Sequence, residues 1–355
     1  MATIREDQDG TTVDILNSAI PAPSPGPPQG LHAPRRAARG LYGALDLGTN
    51  NCRLLIARPA QDSGGHESFQ VIDAFSRIVR LGEGLMANGA LSDAAMDRAV
   101  AALAVCAEKL ARRGVGHVRS VATEACRRAT NAAHFVARVY AETGLALDVI
   151  SPREEARLAV LGCQTLIDPT ARRALVFDIG GGSTEVVLVK RRDDGFTTQG
   201  WVSVPWGVVS LAETELHDAG DAPARTAAYA RMKARVASHL GGLSRQMRRD
   251  VQLLGASGTV TTLASLNMGL PHYDRRQVDG AWADPAAMRA LAARLAALSP
   301  AERAAVPGIG ADRADLVVAG AAILEAVMDS SPHSPLRVAD RGLREGILRA
   351  MMARP

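Results

Sequence analysis

From Leu41 onward the apolar positions fall first in short unbroken runs and then at helical spacing, and the chain passes through that succession twice. In the first pass, apolar runs predict strands up to Leu47, from Cys52 to Arg58 and from Phe69 to Val79. Apolar residues then recur at helical spacing from Ser92 to Arg113, with Ser92 as the N-cap and Asp93 in the first turn, where the helix dipole favours an anion. VRSVAT (118–123) reads as a strand and 131–143 as a helix, and DVIS closes the unit. The second pass opens with a helix from Pro152 to about Leu166, then strands at 173–179, 184–191 and near 200–206, and helices at 208–217 and 222–246. Strand 251–256 runs into a helix from Val260, followed by helices at 285–298 and 311–330, the strand LRVAD and a last helix from Gly342 to Met352. Three hairpin strands followed by alternating helices and strands, twice over, predict an α/β protein of two related domains.

Composition sharpens this picture in a few places. A chain of 355 residues is long enough for two domains with separate cores. Residues 1–40 lack apolar periodicity and contain PAPSPGPPQG at 21–30, so a disordered tail is expected there, with the folded part starting at 41. Hydrophobic residues make up 47% and aromatics only 3%, which describes cores built from Ala, Leu and Val. The net charge of +4 is modest, but only Lys109, Lys190 and Lys233 are lysines, so arginine carries the basic charge. A GC-rich genome explains that skew; arginine forks that grip phosphate bidentately are the functional alternative. No basic run interleaved with aromatics appears, which argues against a nucleic-acid partner. Cys52, Cys106, Cys126 and Cys163 are scattered and form no CxxC pair, so neither a disulfide framework nor a zinc site is expected. The apolar stretch Leu316 to Leu324 is far below the roughly 20 residues that span a bilayer, and the N-terminus has no secretory signal. A soluble cytoplasmic protein with no membrane partner is the expectation.

The candidate chemistry sits in the turns between the strands. In LVFDIGGGSTEVVLV (175–189) an apolar run ends on Asp178, and Gly180, Gly181, Gly182, Ser183 and Thr184 precede Glu185 and a second apolar run. Such a hairpin loop is nearly all backbone; glycines there can take positive φ, and successive N–H groups form a nest for phosphate oxygens. The carboxylates of Asp178 and Glu185 beside a phosphate loop suggest Mg²⁺, with Mn²⁺ as the alternative. A structural hairpin with solvated carboxylates is the plainer reading. YGALDLGTNNCRLLI (42–56) repeats the design through Asp46, Gly48, Thr49, Asn50 and Arg53, 132 positions earlier. Two such loops imply two domains facing each other across a cleft. VQLLGASGTVTT (251–262) adds a strand–turn–helix junction with Gly258 and Thr259 in the turn.

The order and residues of these segments resemble the actin, Hsp70 and sugar-kinase superfamily. Within it the chain is most similar to the exopolyphosphatase and guanosine pentaphosphate phosphohydrolase (Ppx/GppA) family. The resemblance covers roughly residues 41–350 and rests on DLGTNNCRLLI, ATEACRRATN, SPREEARLAVLG, DIGGGSTE, GASGT and ADRGLREGIL in that order. It implies two ribonuclease-H-like domains of the actin-like ATPase superfamily. The closing helix should return to the first, giving domains at 41–152 plus 340–355 and at 153–339. It also implies metal-assisted hydrolysis of a terminal phosphoanhydride: orthophosphate release from inorganic polyphosphate, or conversion of pppGpp to ppGpp in the stringent response. No residue separates these two. An actin-like ATPase or sugar kinase is the alternative in another class, against which EEARL supplies a base for water.

Ser151, Pro152 and Glu154 open a helix as N-cap, first helical residue and partner in a capping box. Glu155 is not needed for that cap, and the resemblance puts the family's catalytic glutamate there, so it is read as the general base. The two glycine loops would hold the terminal phosphate, and Asp178 and Glu185 the metal, directly or through water. Asp46 would order metal-bound water, or else cap its own loop as an Asx turn. Arg53 and Arg127 would neutralise substrate oxygens, with a strand-edge ion pair as the alternative for Arg53. No role is attached to Glu124. Longer relatives continue past the closing helix; this chain's last residue is Pro355, so strong processivity on long chains is not expected. Oligomeric state, a homodimer included, is left open.

Overall fold

The computed structural model describes residues 40–61, 67–193, 195–244 and 251–353. Apart from Gly40, the Pro-rich tail lies outside the described residues, as does the predicted helix beyond Ser244. Strands β1 (Tyr42–Leu47), β2 (Asn51–Gln61) and β3 (Glu67–Ile78) form an antiparallel meander. β1 also pairs in parallel with β4 (His117–Ala122), and β4 with β5 (Leu147–Val149). Helices α1 (Leu85–Asn88), α2 (Asp93–Arg113), α3 (Glu124–Arg128) and α4 (Ala132–Thr143) complete this half. Ser92 caps α2 by accepting from the Ala95 amide, as its sequence position predicts.

Helix α5 (Pro152–Cys163) crosses to the second half, where β6 (Arg173–Ile179), β7 (Thr184–Arg192) and β8 (Gly195–Val204) repeat the meander. There follow α6 (Val208–Glu215), α7 (Ala222–Ser244), β9 (Val251–Ala256), α8 (Gly258–Asn267), α9 (Arg275–Val278), β10 (Trp282–Ala283) and α10 (Pro285–Ala297). The chain ends with α11 (Pro300–Ala304), α12 (Ala311–Ala314), α13 (Val317–Ser330), β11 (Leu336–Ala339) and α14 (Leu343–Met352). The first sheet has the order β3-β2-β1-β4-β5 and the second β10-β11-β9-β6-β7-β8. Read from β8, the second sheet repeats the first strand for strand and direction for direction, with β10 added at its edge. The fold is therefore the predicted pair of mixed α/β modules facing across a cleft. Besides the added short elements α1, α9, α11 and β10, two predicted stretches differ from the sequence reading. The 311–330 helix is broken between α12 and α13, and ATEACRRA contains the short helix α3.

Each sheet is covered on both faces. The large core of the second module lies between its sheet and α6, α7, α8, α10 and α13, with Phe177, Leu253 and Met232 fully buried. In the first module Leu45, Leu54, Leu103 and Phe135 join the sheet to α2 and α4. On the other face, α14 lays Ile347 and Leu348 against Ala44, Leu55 and Leu158, so the closing helix packs on β1 and on α5. That crossing is made backbone to backbone: a Cβ on Gly346 would stand 1.9 Å from the Leu158 carbonyl oxygen, and one on Gly162 2.0 Å from that of Gly342. Only glycine permits so close an approach. Among the described residues no helix is long and apolar enough to cross a membrane.

Candidate active site

The equivalent hairpins β1–β2 and β6–β7 deliver the two glycine loops to the same place. In each, the first loop amide donates back across the turn, Gly48 to the Asn51 carbonyl and Gly180 to the Ser183 carbonyl, both at 2.9 Å. Register makes the repeat chemical as well as topological. Asp46 stands opposite Arg53 in the first hairpin, and Asp178 opposite Glu185 in the second. Loop carbonyls are tied to later segments of the chain: Gly180 and Gly181 accept from the Val208 and Val209 amides at the start of α6, and Asn50 from those of Val79 and Arg80. The amides of Thr49, Asn50, Gly181 and Gly182 have no backbone acceptor among the described residues. Thr49 Oγ1 and Asn50 Oδ1 are buried without a hydrogen-bond partner, the condition expected of groups placed for a ligand.

Left-handed backbone was the expected reason for the glycines, and the structure corrects it. Gly48, Gly180, Gly181 and Gly182 all have negative or extended φ. Space is the reason instead. A Cβ on Gly181 would lie 2.8 Å from Thr49 Cβ, and one on Gly182 2.8 Å from Thr49 Oγ1 and 2.9 Å from Glu124 Cγ. The second loop is thus packed directly on the first, and side chains there would hold the modules apart.

The cleft that results encloses about 900 Å³. Asp46, Gly48, Thr49, Asn50, Arg53, Glu155, Asp178, Gly180, Gly181, Gly182, Ser183, Gly258 and Thr259 all line it, so most residues singled out in the sequence converge from separate segments of the chain. Three do not. Thr184 is fully buried behind the wall, and its hydroxyl donates to the Trp206 carbonyl at 2.8 Å, which engages the group expected to face substrate. Glu185 is also behind the wall, accepting from Ser203 Oγ at 2.9 Å. Arg127, expected to touch substrate, stands in a second layer. It donates to Glu155 Oε2 at 2.7 Å, to Glu124 Oε2 at 2.8 Å and to the Ile150 carbonyl at 2.9 Å. Burial selects this arrangement, because a guanidinium away from water takes every acceptor within reach.

Sequence reasoning passed over Glu124, which lines the cleft and anchors Arg127, and the arginines Arg77, Arg80, Arg98 and Arg313. The signal was present for two of them: Arg77 and Arg80 end an apolar strand beside a glycine-rich turn, as Arg53 follows one. Glu154 also differs. Ser151 Oγ accepts from its amide at 3.2 Å, but the Glu154 carboxylate turns away to Arg119 and Arg157, so only half of the predicted capping box forms.

Carboxylate crowding dominates the electrostatics. Burial, reinforced by the charge of Glu185 and opposed by Arg127, pushes Glu155 well above the usual carboxylate range. Asp178 is pushed up to about 7 by burial and by Glu185, against the attraction of Arg53. Burial likewise raises Glu185 to about 7, opposed by Arg127, and raises Asp46, opposed by Arg53 and Arg344. Buried carboxylates with too little positive charge among them are a donor set that a hard divalent cation would relieve. The residues therefore fit such an ion around Asp178, although no preformed group of three ligands exists among the described residues.

Comparison with known proteins gives one consistent answer. The model of the Ppx/GppA phosphatase family matches residues 59–354. A Haemophilus influenzae protein named as a candidate exopolyphosphatase is 32% identical over 315 residues, covering 86% of this chain and 89% of that one. The solved Ppx/GppA family member of Aquifex aeolicus superposes with a TM-score of 0.72 at 29% identity, covering 88% of this chain and 97% of that one. An exopolyphosphatase from Cytophaga hutchinsonii superposes with a TM-score of 0.76 at 27% identity, with 88% and 97% covered.

Proposed function

The chain belongs to the Ppx/GppA phosphatase family and is a phosphoanhydride hydrolase, and from that premise we propose that it is an exopolyphosphatase, releasing orthophosphate from the ends of inorganic polyphosphate. The observation that carries the reading is Glu155: a buried carboxylate gripped on one oxygen by Arg127 and lining the same cleft as both loops, the first of which carries the unpartnered Thr49 Oγ1 and Asn50 Oδ1. The terminal phosphate sits between the loops, held by their amides and by Thr49. Arg53 and the arginines farther along the cleft neutralise the oxygens behind it.

Phosphoryl transfer asks the protein mainly for positioning and for compensation of charge. Glu155 takes a proton from a water lying in line with the departing chain. Arg127 counters, without cancelling, the desolvation that raises that carboxylate, and fixes its direction. Asp178, with Asp46 and Glu185 through water, would hold Mg²⁺ or Mn²⁺, which when bound supplies positive charge to the phosphate oxygens. A cytoplasmic setting suits such a substrate.

Phosphate release from long polyphosphate, inorganic triphosphate, pppGpp and ATP, measured side by side with Mg²⁺, tests the reading. Release from both polyphosphates, with little from ATP, is expected. Release from pppGpp alone would replace the substrate, and release from ATP alone would return the chain to the ATPase alternative.

A further inference from the structure

Arg80 ends β3's approach to the first loop with φ of 48°, a left-handed conformation that is strained for a residue with a Cβ. Glycines stand at 82 and 84 in the same turn, so the local sequence supplies small residues and yet has arginine at the strained position. Its backbone is tied to the phosphate loop: the Arg80 amide donates to the Asn50 carbonyl at 3.0 Å, and its own carbonyl accepts from the Glu83 amide and from Arg98. The guanidinium is therefore referenced to the loop that holds the terminal phosphate.

Among the described residues its one charged partner comes from the opposite module. Arg80 Nη1 reaches Asp315 Oδ2 at 3.0 Å, just outside the lining of the cleft itself, and both side chains keep more than a third of their surface exposed, 38% and 37%. Asp315 Oδ1 is buried without a partner, so the carboxylate engages the fork through one oxygen only. Arg98 and Arg127, by contrast, are each held by several acceptors at close range. Arg80 lines both the cleft and a second cavity of about 490 Å³ behind it, and with Asn50 and Leu316 forms the neck between them.

We propose that Asp315 occupies the place of substrate on Arg80: phosphates behind the scissile one displace it from the guanidinium. Arg80 is then a substrate-binding residue, and Asp315 an internal competitor that weakens binding. A phosphate offers two oxygens and more charge to the fork than a half-exposed carboxylate holding it at a single point. The inference rests on the phosphoanhydride reading of the cleft.

The test compares wild type, Asp315→Asn, Arg80→Ala and the double variant. Calorimetry in a Glu155→Gln background, where turnover is slowed, gives Kd for inorganic triphosphate, and phosphate release with Glu155 intact gives KM for polyphosphate. Asp315→Asn should tighten Kd and lower KM by about two- to fivefold, the factor a half-exposed ion pair is worth. Arg80→Ala should weaken both about tenfold, and in the double variant the benefit of Asp315→Asn should vanish. Should Arg80→Ala fold poorly by thermal melting, Arg80→Lys replaces it in the same comparison. Weaker binding in Asp315→Asn would overturn the proposal, because the pair would then be a scaffold closing the cleft. A benefit that persists without Arg80 would overturn it as well, by showing repulsion of substrate from Asp315 alone. If wild type hydrolyses none of the substrates while Asp315→Asn still tightens triphosphate through Arg80, the functional reading fails and this one stands.

Discussion

Glu154 and Glu155 are adjacent in sequence and sit in opposite electrostatic settings. Burial opposes the charge of Glu154, but hydrogen bonds from Arg157 and Arg119 outweigh it and hold the group below the usual carboxylate range. Its stabilisation is present above the ordinary carboxylate pKa and is lost as pH falls through the folded value. Glu154→Gln should therefore leave kcat near wild type, cost about 1 kcal/mol at neutral pH and flatten the loss of stability in acid, read from thermal melts across pH. Glu155→Gln should lower kcat by about 10² to 10⁴ with KM nearly kept. Equal kcat losses in two well-folded variants would remove Glu155 as the base. Arg127 opposes the upward shift of Glu155, so Arg127→Ala should raise it further. Because the base acts ionised, the acidic limb of the kcat profile should then move to higher pH; a rise in KM with an unmoved limb would return Arg127 to the direct substrate contact that the sequence suggested.

At the scale of elements, the α5–α14 crossing decides where Glu155 stands. Leu158, whose carbonyl meets Gly346, is one turn beyond it on the same helix. Gly346→Ala forces the helices apart and should cost about 1 to 3 kcal/mol in denaturant titration, with a fall in kcat. Gly241→Ala near the end of α7, where nothing lies within 4 Å of the added carbon, should instead stabilise by about 0.5 kcal/mol. The two hairpins and their aspartates were legible because apolar runs and glycine turns are local signals, and Ser151 announced the start of α5 for the same reason. Contact between distant segments was not legible in this way. Gly181 and Gly182 look like turn glycines until Thr49 and Glu124 are seen against them. Arg80 and Asp315 are far apart in the chain and meet only because two modules close on each other.

Across the whole molecule the buried carboxylates Asp46, Glu155, Asp178 and Glu185 crowd together at the cleft, and this crowding makes a cation testable by stability as well as by rate. Asp178 is raised to about 7 in the folded chain, so its contribution to stability is complete below the ordinary carboxylate pKa and is lost as pH rises through about 7. A bound divalent ion reverses that loss by favouring the ionised form. Mg²⁺ should therefore raise the melting temperature more at about pH 8 than at about pH 6, approaching about 2.7 kcal/mol of stabilisation at a hundred times its Kd. Asp178→Asn should remove most of this response together with turnover, while Glu185→Gln, one layer behind the wall, should abolish turnover and weaken the Mg²⁺ dependence. The melting measurement needs no substrate, so it separates loss of the ion from loss of the base: Glu155→Gln should keep the Mg²⁺ response and lose the rate. Full phosphate release in excess chelator, or a melting temperature indifferent to Mg²⁺ at every pH, would show that the arginines alone compensate the carboxylates and that no metal is held at Asp178.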